Sequence, residues 1–127
     1  MKFLHTMIRV SDLEQSIDFY SKVLGMKVLE KSINEAYRYT LVFVGYESKE
    51  ASASIELTFN WDTHEYQLGN AFGHVVLGVE DIYAACKKID ALGGKMTREP
   101  GPVKGGTTHI AFITDPDGYQ IELIQLD

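Results

Sequence analysis

Cysteine is almost absent from this chain of 127 residues, where Cys86 stands alone. A single thiol excludes an intrachain disulfide and a thiolate-cage metal site, so any metal must be held by His and carboxylate side chains. Basic charge is also scarce, with 12 Lys and Arg against 18 Asp and Glu and a net charge of −6. A nucleic acid or an anionic membrane would need a basic face, and a small-molecule partner fits better. Long apolar runs are missing too. His5, Arg9 and Asp12 stand where a signal peptide would keep an unbroken apolar stretch, and nothing later reaches membrane-spanning length, so a cytoplasmic location is expected. The length suits one domain with an ordinary core and leaves no room for a separate cofactor-binding domain. An active site must therefore be compact or shared with another subunit.

What the chain does have is an internal duplication. Residues 4–26, LHTMIRVSDLEQSIDFYSKVLGM, align without a gap on residues 73–95, GHVVLGVEDIYAACKKIDALGGK. His5 falls on His74, Val10 on Val79, Asp12 on Asp81, Leu13 on Ile82 and Gly25 on Gly94, all at an offset of 69. Ile55-Glu56-Leu57 then matches Ile121-Glu122-Leu123 at an offset of 66, which a slightly longer loop in the first copy explains. A His, an Asp, a Gly and a Glu recurring in one order at nearly fixed spacing is duplication.

Each copy opens with a short alternating strand, roughly 3–10 and 72–79, and passes into an amphipathic helix. Ser11 with Glu14 forms a capping-box pattern before a face of Leu13, Ile17, Tyr20 and Leu24. In the second copy Ile82, Cys86, Ile89 and Leu92 form that face, which makes Cys86 a core residue. Gly25, and Gly94 with Gly93 before it, read as left-handed C-caps. Strands are expected at 37–45 and 53–61, then at 109–114 and 119–126, with Asp115-Pro116-Asp117-Gly118 a turn before the last. The unit is βαβββ, written twice in an α+β chain. It divides as a first module at 1–61, a polar connection at 62–70 and a second module at 71–127.

Alternation along a strand puts His5, Met7 and Arg9 on one face and Leu4, Ile8 and Val10 on the other. It likewise separates Glu56, Thr58 and Asn60 from Ile55, Leu57, Phe59 and Trp61, and Gln120, Glu122 and Ile124 from Ile121 and Leu123. Each copy thus offers one His early and one Glu late, on the sheet face away from its helix. Two imidazoles and two carboxylates suit Ni²⁺, Co²⁺, Fe²⁺, Mn²⁺ or Zn²⁺ and leave two octahedral positions for water or a chelating substrate. His64, in the polar connection, and His109, which has no His counterpart, read as ordinary surface or hydrogen-bonded side chains. At about 3.3 Å per residue, Arg9 and Asn60 each lie roughly 13 Å along the same face from His5 and Glu56. On that face Arg9 can clamp a carboxylate bidentately, and Asn60 can both donate and accept.

Paired βαβββ modules, each with one such His and Glu, resemble the vicinal oxygen chelate superfamily. Four stretches match the short bacterial glyoxalase I type within it: His5 with Arg9, the run from Ile55 to Trp61, Gly69 to His74, and Asp115 to Leu123. The resemblance spans essentially the whole chain. It implies two tandem modules forming half-barrel sheets paired across a homodimer, with each site taking His5 and Glu56 from one chain and His74 and Glu122 from the other. It further implies isomerisation of the glutathione hemithioacetal of methylglyoxal to S-lactoylglutathione, with Arg9 and Asn60 as glutathione contacts. Arg98 and Lys104 lie in the loop where this family places further cations. Glu122 is implied as the proton-transferring base, with Glu56 a near-symmetric second candidate. His at position 5 and the short form imply Ni²⁺ or Co²⁺ in preference to Zn²⁺. Rival readings are an extradiol dioxygenase, which has no need of a fourth ligand such as Glu56, and an acyl-CoA epimerase, for which Arg9 and Asn60 are poorly suited. A third is a non-catalytic module that sequesters an antibiotic, a class that usually lacks the ligands.

Overall fold

The computed structural model describes residues 1–127, which form two compact units, Met1–Gln67 and Leu68–Asp127. The first unit runs β1 (His5–Arg9), α1 (Leu13–Asp18) continued by a π-helical turn (Phe19–Val23), β2 (Lys27–Asn34), β3 (Tyr39–Gly45) and β4 (Ser54–Asn60). The second runs β5 (His74–Val79), α2 (Ile82–Ala91), β6 (Lys95–Pro102), β7 (His109–Thr114) and β8 (Gln120–Gln125). Both units are therefore βαβββ. Their sheets have the same order, β1-β4-β3-β2 and β5-β8-β7-β6, with the first strand parallel to the last and the other pairs antiparallel. No helix is long and apolar enough to cross a membrane.

The core of each unit lies between its helix and one sheet face. In the first, Ile8 of β1, Val10 just after it, Val42 and Val44 of β3 and Ile55 and Leu57 of β4 are buried, as are Leu13, Phe19 and Tyr20 of the helix. In the second, Ala111, Ile113, Ile121 and Leu123 are buried together with Ile82, Cys86 and Ile89 of α2. Truncating a fully buried residue such as Leu57 to Ala would cost about 2–5 kcal/mol. Because side chains alternate along each strand, filling this core aims the intervening residues at the opposite sheet face.

The helices depart from expectation in three local ways. Asp12, not Ser11, is the N-cap of α1, its carboxylate accepting the amide of Gln15; Asp81 caps α2 in the same manner, accepting from Tyr83 and Ala84. An aspartate carboxylate accepts more strongly than a serine hydroxyl, which explains the choice. In the second unit the left-handed residue is Gly93, with φ +89°, and not Gly94. The amides of Gly93 and Gly94 bond to the carbonyls of Asp90 and Ile89 in a Schellman closure. The first helix carries one residue more between its cap and Gly25 (φ +75°), and the π turn absorbs it, with Leu24 donating to the Phe19 carbonyl. That turn replaces the expected face of Leu13, Ile17, Tyr20 and Leu24 by Leu13, Ser16, Phe19 and Tyr20.

Strands β2 and β6 had no strand assigned to them from sequence, although the βαβββ pattern required one after each helix. Both occupy sheet edges.

Candidate metal and substrate site

The parallel pairing of first and last strands brings each His beside its Glu. Met7 lies opposite Glu56 in register, and Val76 opposite Glu122, so His5 and His74 each sit one side-chain repeat away on the same face. His5 Nε2 is 3.4 Å from Glu56 Oε1, and His74 Nε2 is 3.7 Å from Glu122 Oε2. The imidazoles are 35% and 38% exposed and both carboxylates 14%, so each pair keeps its imidazole partly open and its carboxylate largely covered. Within the chain no group of three or more His, Cys, Asp or Glu side chains is assembled.

These pairs fit a divalent cation. Two donors each about 2.1 Å from a common ion and at right angles lie about 3 Å apart, close to both separations. The strands are fixed by cross-strand pairing, so the donors are presented by rigid backbone. Cys86 is no competitor as a ligand, because burial in the helix face, with Glu99 adding to it, pushes its thiol above the usual range.

An aromatic edge supports each imidazole. Phe43, opposite Glu56 on β3, meets His5 with ring centroids 5.2 Å apart at 78°. Phe112, opposite Glu122 on β7, meets His74 at 5.3 Å and 84°. The two phenylalanines are separated by the offset of 69 that relates the histidines. Both escaped the sequence reading, which sought chemistry-bearing residues in the repeat and not their supports. The Thr58 hydroxyl also escaped it; it donates to Glu56 Oε2 at 2.8 Å.

Beyond the ligand pair of the first unit, Arg9 is exposed on β1 and Asn60 ends β4 on the same face. Asn60 Nδ2 donates to the Tyr66 hydroxyl at 3.2 Å. Tyr66 and His64 tie the polar stretch after β4 to the first unit, His64 Nδ1 lying 3.4 Å from the Ser11 carbonyl. Gly78 and Leu126 stand where the repeat places the partners of Arg9 and Asn60. A Cβ on Gly78 would come within 2.7 Å of the Leu126 side chain, so this end of the second unit is apolar and filled.

Arg98 is placed differently from Lys104. Its Nη1 donates to the carbonyls of Glu99, Gly101 and Ile110 and its Nη2 to that of Pro102, which holds the irregular β6 against β7. Lys104 lies exposed in the β6–β7 turn, which is closed by Val103 and Thr108. His109 Nδ1 is 2.8 Å from the Tyr83 hydroxyl. The Asp115 carboxylate accepts the amides of Asp117 and Tyr119 and so sets the start of β8, two residues upstream of which Gly118 turns with φ +92°.

Residues 2–123 match the family described as Glyoxalase/Bleomycin resistance protein/Dioxygenase superfamily. The chain is 60% identical over 124 residues to a probable lactoylglutathione lyase of Vibrio cholerae, covering 98% of this chain and 90% of that relative. It is 59% identical over 125 residues to the lactoylglutathione lyase of Escherichia coli O157:H7, covering 98% and 93%. Among solved structures, glyoxalase I from Zea mays superposes with a TM-score of 0.96 at 44% identity, over 98% of this chain but only 44% of the maize chain. A trypanothione-dependent glyoxalase I of Leishmania major superposes at 0.88 with 42% identity, covering 98% and 86%. An antibiotic-binding protein of Streptomyces shares the fold alone, at 23% identity and a TM-score of 0.77.

Proposed function

The chain belongs to the Glyoxalase/Bleomycin resistance protein/Dioxygenase superfamily, and on that footing we propose that it is a lactoylglutathione lyase, isomerising the hemithioacetal of methylglyoxal and glutathione to S-lactoylglutathione. The observation that carries the reading is the His–Glu pair formed twice in one register, in a chain about 60% identical to lactoylglutathione lyases. An extradiol dioxygenase or a sequestering module would have no use for the second complete pair.

A divalent metal belongs to this reading, with His5, Glu56, His74 and Glu122 as its ligands. When bound, it supplies a Lewis acid that stabilises negative charge on the substrate oxygens. One pair offers too few donors, and a homodimer that brings the first-unit pair of one protomer to the second-unit pair of the other supplies four. The tandem modules, 1–61 and 71–127 about a connection at 62–70, are what such an exchange requires. His at position 5 and the short form favour Ni²⁺ or Co²⁺ over Zn²⁺.

The substrate's peptide portion lies along the first unit's sheet. Arg9 meets a carboxylate of glutathione, Asn60 meets a peptide amide, and Tyr66 holds the Asn60 side chain. Lys104 supplies the second cation. Arg98 keeps its donors on four main-chain carbonyls and shapes the loop that carries Lys104. Glu122 takes the proton from the carbon bearing sulfur and returns it to the neighbouring carbon, so the substrate passes through an enediolate and no atom is gained or lost. Glu56 has the corresponding position in the first unit. The protein acts in the cytoplasm, where glutathione is abundant and a lone reduced thiol such as Cys86 is ordinary.

The deciding experiment follows thioester formation by ultraviolet absorbance after metal-stripped protein is recharged in parallel with Ni²⁺, Co²⁺ or Zn²⁺. Turnover with Ni²⁺ or Co²⁺ and little with Zn²⁺ is expected. Turnover with none of the three would remove the assigned reaction.

A further inference from the structure

Thr58 and Ile124 hold corresponding places in the two units, each two residues beyond the glutamate on the last strand and on the same face of it. In other respects the two His–Glu pairs are nearly identical. Their strand registers agree, their carboxylates are equally exposed, and each imidazole meets a phenylalanine edge at almost one distance. The difference lies at the free carboxylate oxygen. Glu56 turns Oε1 toward His5 Nε2, while its Oε2 accepts the Thr58 hydroxyl at 2.8 Å. Thr58 is itself buried, so the hydroxyl does not exchange this bond for water. Ile124 has no hydrogen to donate, and the polar neighbour of Glu122 within its unit is His74.

A carboxylate held at one oxygen loses the broad terminal rotation that a Glu otherwise keeps. A carboxylate with a hydrocarbon beside it retains that freedom. We infer that Thr58 is a positioning residue that makes Glu56 the stationary ligand, and that the exchange of Thr for Ile two residues past the glutamate leaves Glu122 as the one able to swing and carry a proton. A single side-chain difference thereby assigns two roles to a duplicated pair. The inference rests on the reading of Glu56 and Glu122 proposed above.

The test measures Ni²⁺ binding to the metal-stripped protein by calorimetry, together with kcat and KM, for four variants of the full chain. Thr58→Val is isosteric and lacks the hydroxyl, and is expected to weaken Ni²⁺ binding about tenfold or more, the range typical of lost outer-shell hydrogen bonds. Thr58→Ser should restore binding to within about twofold of the parent, which a role in packing alone would not do. Ile124→Thr supplies Glu122 with the missing donor and is expected to lower kcat about tenfold with KM unchanged. Parental Ni²⁺ affinity in Thr58→Val, or parental kcat in Ile124→Thr, overturns the inference. Glu56→Gln separates it from its premise: loss of Ni²⁺ there with Thr58→Val unaffected removes the role of Thr58 alone, whereas parental affinity in Glu56→Gln removes Glu56 as a ligand and both readings with it.

Discussion

His5 and Phe43 meet edge-on, their ring centroids 5.2 Å apart and their planes at 78°. The contact supports the imidazole from β3, across the intervening β4, while the Lys49 ammonium covers the Phe43 ring at 3.9 Å. Such edge contacts contribute about 0.5–1.5 kcal/mol beyond the area they bury. Phe43→Leu keeps an apolar side chain and removes the edge. It should lower unfolding stability in urea by about 1–2 kcal/mol. An unchanged midpoint would show that the His5 ring needs no such support.

The proposed sharing of the site between protomers has a sharper consequence. His5→Ala and His74→Ala should each abolish turnover as homodimers. Mixed and allowed to exchange subunits, they form a heterodimer in which one site carries both defects and the other carries neither. Up to about a quarter of the parental activity should then return, since half of randomly mixed dimers hold one intact site of two. No recovery after verified exchange would place all four ligands of a site within one chain.

Glu122→Gln removes the proposed proton acceptor and keeps the shape. Turnover should fall by about 10² or more, with circular dichroism and thermal midpoint close to the parent. Full activity in this variant would transfer the base to Glu56.

The hydroxyl of Ser16 is buried in the first unit's core without a hydrogen-bond partner. An unmet polar group in that setting costs free energy that a methyl group does not. Ser16→Ala is therefore expected to raise unfolding stability, by about 0.5–1.5 kcal/mol. Denaturant melts of the two proteins side by side decide it, and a less stable variant would mean that the hydroxyl is satisfied in solution.

Asp62 binds Arg38 through two hydrogen bonds of 2.8 Å at the exposed end of the first sheet. That bonding, with the opposing pull of desolvation, leaves the Asp62 carboxyl below its ordinary value. A carboxyl depressed in the folded state stabilises it above its unfolded pKa and loses that contribution as pH falls through the folded value. The pair is exposed, so solvent keeps the effect small, and its change with pH falls in acid. Asp62→Asn should be slightly less stable than the parent near neutrality, converge with it in acid, and so flatten the acid limb of the stability profile. An acid limb identical to the parent's would show that Arg38 does not hold the carboxyl.

Much of the candidate site was legible because duplication makes chemistry repeat. His5 and His74, Glu56 and Glu122, and the faces they share came from offset and alternation alone. The same offset relates Asp12 to Asp81, the N-caps of the two helices, and Phe43 to Phe112, the aromatic supports, but the capping-box pattern of Ser11 and Glu14 drew the reading one residue away and the phenylalanines were passed over. Strand β2 was hidden by its edge position, where KVLEKSIN is largely exposed and buries no regular face. Strand β6 was hidden by Gly101 with Pro100 and Pro102, residues that argue against a strand and are tolerated at an irregular edge. The π turn left no mark in hydrophobic periodicity, because one extra residue in a short helix looks like ordinary scatter. Arg98 was expected in the loop beside Lys104, and only the fold reveals that it stands on β6 with its donors turned to the backbone.

The strand pairing that joins each His to its Glu also sets when the pair comes into being. β1 and β5 open their units in sequence and bond to the strands that close them, β4 and β8. Contacts between chain segments so far apart form late and slowly, since the intervening loop must be ordered first. During synthesis the early His therefore waits for the last strand of its unit. A partly made unit holds an imidazole without its carboxylate, so the donor pair itself exists only once the unit is complete.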